Sequence, residues 1–192
     1  MVMQGSEIVS FDSEELILVD EDDNEIGTLD KARCHDGDGV LHRAFSVFLF
    51  DARGALLLQR RSAAKRLWPL YWSNSCCSHP RSGESMRDAT VRRVRQELGV
   101  DVELEFVFKF VYHAAFADQG SERECCSVFL GRLRDRVTPN ANEIAEVRFV
   151  TATELSSALD AGTDSYTPWF RTEWRRLTEE FADCLARFTR PA

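Results

Sequence analysis

The spacing of apolar and polar positions marks out most elements of the chain before any side-chain chemistry is considered. Leu41–Phe50 is dense in Phe, Val and Leu and predicts a strong strand. It turns at Asp51-Ala52-Arg53-Gly54 and returns as Ala55–Arg60, a hairpin pattern with glycine in the turn. Shorter strands are predicted at Glu15–Asp20 and Glu25–Thr28, joined by Asp22-Asp23-Asn24, with a helical turn at Leu29–Ala32. Two longer strands follow, Glu103–Phe116 and Glu122–Leu133, linked through Asp118-Gln119-Gly120, and a short one lies at Glu146–Val150. The period becomes helical at Ser85–Leu98, which stops at Gly99, and again at Thr151–Leu159. A last helix is predicted over Pro168–Phe188. There Phe170, Trp174, Leu177, Phe181, Leu185 and Phe188 recur at spacings of four and three and form one core-packing face. Residues 1–12 read as a flexible leader to a single α/β (α+β) domain spanning 1–192.

Composition narrows the class. A chain of 192 residues with 44% hydrophobic content buries a core without disulfide staples. No apolar run approaches the ~20 residues of a membrane helix. The N-terminus shows no basic stretch followed by an apolar one, so a cytoplasmic protein is expected. Two of the cysteine pairs, Cys76-Cys77 and Cys125-Cys126, are adjacent, which favours reduced thiols over a disulfide framework. The net charge of −8 argues against a nucleic-acid surface. The expectation is a monomer with no nucleic-acid or membrane partner.

Chemistry concentrates in Asn74-Ser75-Cys76-Cys77-Ser78-His79-Pro80, which places a thiol two residues from an imidazole. Two more histidines, His35 and His42, lie upstream. Glu122 and Glu124 stand at i and i+2 of a predicted strand, so both carboxylates point to one face. Three imidazoles and two carboxylates suit Mg²⁺, Mn²⁺ or Zn²⁺ with a position left open. Taken singly, each of these residues is more plainly a solvated strand position or a locally bonded histidine; their conjunction points to a metal. A structural zinc on some of Cys34, His35, Cys76, Cys77 and His79 would lack the paired Cys-x-x-Cys spacing. The basic loop Arg60–Arg66 matches phosphate oxygens, with a solvated turn as the plain alternative.

From Ser78 onward the chain nearly spells the Nudix box: Glu84, Arg92, Val94, Glu97, Gly99 and Val100 occupy its positions. Ser78 stands for its first glycine, while Arg93 and Gln96 replace glutamates that hold metals in pyrophosphohydrolases. Together with His35, His42, Asn74-Ser75-x-Cys77-x-His79-Pro80, Gly83-Glu84-Ser85, Glu122-x-Glu124 and Ser165-Tyr166-Thr167-Pro168-Trp169, these residues resemble the type 1 isopentenyl-diphosphate Δ-isomerase family from about Leu29 to Trp169. The resemblance implies a Nudix-like α/β/α sandwich with a mixed sheet and terminal additions. It implies conversion of isopentenyl to dimethylallyl diphosphate through a tertiary carbocation. Cys77 and Glu124 would be the catalytic pair, Tyr112 a hydrogen-bonding neighbour and Trp169 the face turned to the cation. His35, His42, His79, Glu122 and Glu124 would bind Mn²⁺, Mg²⁺ or Zn²⁺. Glu97 and Cys77, the latter through its carbonyl, would serve a Mg²⁺ on the substrate diphosphate. Lys31, Arg61, Lys65 and Arg93 would contact that diphosphate. A Nudix-type diphosphate hydrolase and a noncatalytic diphosphate-binding protein are the rival expectations.

Overall fold

Strand β3 (His42–Phe50) organises the sheet in the computed structural model, which describes residues 7–162 and 165–191. One of its faces sends Phe45, Val47 and Leu49 against α2 (Met86–Leu98), where Ala89, Val94 and Leu98 receive them. The other sends Phe48 and Phe50 against α4 (Pro168–Glu179), through Phe170, Trp174 and Leu177. Burial on both faces explains why this strand reads as a nearly unbroken apolar run. The result is an α/β/α sandwich around a mixed sheet.

The remaining elements are β1 (Glu15–Val19), β2 (Glu25–Asp30), α1 (Lys31–Cys34), β4 (Leu56–Arg61), β5 (Trp72–Ser73), β6 (Cys76–Ser78), β7 (Leu104–Ala115), β8 (Ser121–Arg132), β9 (Ile144–Val150), α3 (Ala152–Ala161) and α5 (Ala182–Thr189). Strand β3 pairs in parallel with β8, so that His42 lies opposite Glu124 and Ala44 opposite Cys126. It pairs antiparallel with β6, which sets Ser46 opposite Cys77. The long hairpin β7–β8 places Tyr112 across from Glu124. Three registers therefore converge on one face of the sheet. Ser85 caps α2 by accepting from the Asp88 amide, and Gly99 ends it in the left-handed region at φ 70°. Among the described residues no helix is long and apolar enough to cross a membrane.

Residues 1–6 of the expected leader lie outside the described residues; of 7–12, only Val9 is buried and Ser10 half-buried, the other four being exposed. Val9 is buried, its carbonyl accepts from Arg93 Nη1 at 2.7 Å, and the Glu7 carbonyl accepts from Asn140 Nδ2 at 2.8 Å. The apolar stripe of the last helix is divided between α4 and α5. Phe181 leaves the helical backbone (φ −124°, ψ 30°) and stacks its ring on Phe108 at 4.8 Å. This bend lets Leu185 and Phe188 follow the twisted sheet, Phe188 meeting the Phe50 ring at 5.9 Å. Apolar burial outweighs helix continuity here. Strands β5 and β6, too short to carry a period, were not expected from the sequence.

Candidate active site

The three imidazoles and two carboxylates meet in one buried cluster, with one donor atom from each lying within 4.8 Å of all the others. Strand alternation puts Glu122 and Glu124 on the same face of β8, the parallel register brings His42 beside them, α1 ends at His35, and His79 follows β6. The ring centroids are separated by 4.9 to 5.4 Å. His35 Nδ1 bonds the Lys31 carbonyl at 2.6 Å and His42 Nδ1 bonds the Val40 carbonyl at 2.7 Å. Each ring therefore donates at Nδ1 and turns the lone pair of Nε2 into the cluster. Among the described residues His42 Nε2 has no hydrogen-bond partner, standing 3.6 Å from Glu124 Oε1.

This donor set fits a divalent ion. Lone pairs of neutral imidazoles facing carboxylates repel unless a cation, either proton or metal, lies between them. Burial weighs against the proton on His35, but Glu122 beside it prevails and holds that imidazole above its ordinary value. Burial, with His42 and His35 adjacent, pushes His79 well below its ordinary value. Burial also opposes the charge of Glu122 and Glu124, yet the neighbouring histidines keep both carboxyls below the usual range.

Cys77 lies beside the cluster in a cavity of about 390 Å³ that Glu124, Tyr112 and Trp169 also line. Its Sγ donates to Asn74 Oδ1 at 2.7 Å and stands 3.7 Å from Ser46 Oγ. Burial pushes this thiol up to about 12. Tyr112 donates its hydroxyl to Glu124 Oε2 at 2.6 Å while His79 Nε2 holds Oε1 at 2.8 Å, so both oxygens of that carboxylate are oriented. Cys76 points the other way, into the core beneath α2. All six cysteines are free.

Lys31, Arg61, Lys65 and Arg93 line the same cavity. Arg61 donates to the Trp68 carbonyl at 3.1 Å and the Leu67 carbonyl at 3.0 Å, and its guanidinium lies 5.3 Å from the Trp169 ring centroid. Lys31 bonds Ser10, and burial lowers its ammonium to about 8. Arg93 is 2% exposed and pairs with Glu97 and, at 3.3 Å, with Glu143. Glu97 itself lies behind that guanidinium and is not among the residues lining the cavity.

Glu143 and Glu173 went unnoticed in the sequence, and Asn74 entered there only as part of the motif around Cys77. Glu143, 4% exposed, pairs with Lys65 and Arg93 and spaces these cations. Its signal would have been a carboxylate one position before an apolar strand start. Asn74 accepts from Cys77 and donates to the Val47 carbonyl at 3.2 Å. Glu173 is fully buried on α4 beside Cys126, whose Sγ is 3.6 Å from its Oε1. Burial raises this carboxyl from near 4.5 to about 8. The folded protein thus keeps a proton that the unfolded chain loses above about 4.5, and wild-type stability falls as pH rises through that window. Thermal melts of Glu173→Gln should show a gain in Tm over wild type at pH 8 and none at pH 4.5. An equal Tm difference at both values would show that the carboxyl is not held protonated.

Gly120 supports the metal cluster from behind. At φ +141° it sits where a Cβ would lie 2.2 Å from the His35 carbonyl oxygen, which also accepts from the Ser121 amide at 3.0 Å. Gly120→Ala must displace the His35 backbone. It is expected to weaken divalent-ion affinity by roughly 10–100-fold, as loss of an outer-shell support does. Calorimetric titration with Mn²⁺ checks this, and an unchanged affinity would contradict it.

The NUDIX domain family matches residues 40–170. The isopentenyl-diphosphate Delta-isomerase 1 of Photorhabdus laumondii is 37% identical over 174 residues, covering 90% of this chain and 99% of the relative. The isopentenyl-diphosphate Delta-isomerase of Nocardia farcinica is 43% identical over 153 residues, 79% of this chain and 87% of its own. The crystal structure of DR0079 from Deinococcus radiodurans superposes with a TM-score of 0.66 over 92% of this chain and all (100%) of that one; at 23% identity it shares the fold. With its NUDIX domain and relatives matched over most of their length, the chain belongs to the isopentenyl-diphosphate Δ-isomerase family.

Proposed function

We propose that this protein converts isopentenyl diphosphate to dimethylallyl diphosphate, with Cys77 and Glu124 as the proton-transferring pair. The observation that carries the reading is one cavity lined by a thiol, an oriented carboxylate and two aromatic rings, with cations in its wall. The reaction adds a proton at C4, leaves a tertiary carbocation at C3, and removes a proton from C2. One side chain gives the first proton and the other takes the second; in the reverse direction the two exchange roles. Burial keeps Cys77 in its thiol form, while the histidines and Tyr112 favour Glu124 as carboxylate. These are the complementary states that such a pair requires.

Trp169 forms the wall beside Cys77, where a desolvated indole face stabilises a cation by ~2 kcal/mol or more. The buried aromatic surroundings exclude water that would otherwise capture the carbocation. Lys31, Arg61, Lys65 and Arg93 bind the diphosphate, with Arg93 held in place by Glu97 and Glu143. His35, His42, His79, Glu122 and Glu124 would hold Mn²⁺, Mg²⁺ or Zn²⁺, which would polarise Glu124. Glu97 and the Cys77 carbonyl would hold a Mg²⁺ on the diphosphate only with Glu97 released from its pairing with Arg93. The reading takes the protein as one domain and a cytoplasmic monomer that needs neither nucleic acid nor membrane. Its acidic net charge of −8 supports the former exclusion.

Hydrolysis of a diphosphate is disfavoured by α2 itself. Arg93 and Gln96 stand where that chemistry needs carboxylates, and Arg93 neutralises the remaining Glu97. Incubation with isopentenyl diphosphate and Mg²⁺, followed by phosphorus and proton NMR, separates the possibilities. Dimethylallyl diphosphate with both phosphates intact is expected. Released phosphate would identify a hydrolase, and binding without turnover a noncatalytic protein.

A further inference from the structure

Glu173 is a buried carboxyl group that the reaction described above leaves without a task. It lies four residues after Trp169 on α4, so both side chains leave the same face of the helix. Trp169 forms the cavity wall, and Glu173 sits one turn on, fully buried. The sheet presents polar atoms to it from two strands. Cys126 Sγ on β8 is 3.6 Å from Glu173 Oε1 and 3.5 Å from Ser46 Oγ. Ser46 on β3 thus shares the Cys126 sulfur with the carboxyl and, across the β3–β6 pair, stands 3.7 Å from Cys77 Sγ. Glu173 Oε2 has no hydrogen-bond partner among the described residues.

An ionised carboxylate in such a place, with one oxygen unpaired, is strongly penalised. The groups facing it are Ser46, Cys126 and, farther off, Glu124, and none is cationic. Glu173 therefore carries a proton and is a hydrogen-bond donor. An aliphatic side chain would fill the same space at less cost, so the acid must serve its neighbours.

We propose that Glu173 is a positioning residue for the Cys77 thiol: its neutral carboxyl donates to Ser46 Oγ and thereby turns the serine hydroxyl toward the Cys77 sulfur. The inference rests on the reading of Cys77 as a reacting group. Two partners then serve the two protonation states of that sulfur. Asn74 Oδ1, 2.7 Å away, accepts from the thiol. Ser46, aimed by Glu173, donates to the thiolate that exists while the proton is on the substrate or on Glu124. No net charge is added beside the thiolate, because the acid behind the serine stays neutral.

The test compares Glu173→Gln, Glu173→Leu and Ser46→Ala in the metal-loaded protein. Two readouts are used: steady-state kinetics with isopentenyl diphosphate, and the rate of Cys77 alkylation by iodoacetamide followed by mass spectrometry. Gln keeps a neutral donor and is expected to retain kcat and alkylation rate within about threefold. Leu and Ser46→Ala are expected to lower both by roughly 10–100-fold, the worth of one hydrogen bond to a charged group, with KM within about threefold of wild type. Wild-type values in Ser46→Ala or Glu173→Leu would overturn the proposal, as would a loss in Gln equal to that in Leu. If Leu does not fold, Ser46→Ala against Gln decides alone. A wild-type protein that makes no dimethylallyl diphosphate would instead defeat the functional reading, whereas turnover indifferent to all three substitutions defeats this inference only.

Discussion

Cys77→Ala is expected to lower kcat for isomerisation by at least about 10³-fold, near the upper range of a single acid–base group, without loss of the fold. The sulfur is held on three sides, by Asn74 Oδ1 at 2.7 Å, Ser46 Oγ at 3.7 Å and Ser73 Oγ at 3.8 Å. Its loss leaves a small gap beside an existing cavity rather than a void in the core. Cys76→Ala is the internal control. Strand alternation sends that thiol beneath α2, where it is 0% exposed, so its removal affects packing and spares turnover. Steady-state kinetics and melting curves on both variants check the contrast. An equal loss of kcat from the two substitutions would contradict the assignment of the reacting sulfur.

Stripping divalent ions should be as severe. Without a cation, Glu124 keeps its bonds to His79 and Tyr112 but is not polarised. Turnover in chelator-treated protein is expected to fall by about 10³-fold or more and to return when Mn²⁺, Mg²⁺ or Zn²⁺ is added back. Stability should move with it, since an ion that binds the folded state at about 100 times its Kd adds about 2.7 kcal/mol. Elemental analysis, kinetics and thermal melts on the same samples check both effects. Full activity in protein shown to be metal-free would remove the five-residue set from the mechanism.

The parts of this site that were legible in the sequence are those governed by short periods. Glu122 and Glu124 share a face because a strand repeats every two residues, and this needed no knowledge of the sheet. Ser85 and Gly99 bounded α2 for reasons equally local. The pairing of His42 with Glu124 was not legible, because it depends on a parallel register between strands about eighty residues apart. Without it, Glu122, Glu124 and the histidines were a set of compatible residues rather than a cluster. Resemblance to the isomerase family supplied that link, and the geometry agrees with it.

Glu173 shows the opposite case. It falls within the apolar face of α4, between Phe170 and Trp174, and a carboxylate at a core position is the kind of local conflict that marks a function. The helical stripe by itself reads as packing, which hides the anomaly. The division of the final helix at Phe181 was hidden for a related reason. Apolar spacing continues across the break, and only the twist of the underlying strands demands it. Arg93 was visible as a departure from the Nudix box, but its pairing with Glu97 and Glu143 required the fold.

The account stands most directly on where the thiol and the carboxylate lie relative to the alkene. A crystal structure of the metal-loaded protein with a saturated, unreactive analogue of isopentenyl diphosphate measures this. Cys77 Sγ and a Glu124 oxygen should approach the carbons equivalent to C2 and C4 from opposite faces, each at about 3–3.5 Å, with the diphosphate against Lys31 and Lys65. Both groups on one face of the five-carbon unit, or either one well beyond that reach, would contradict it.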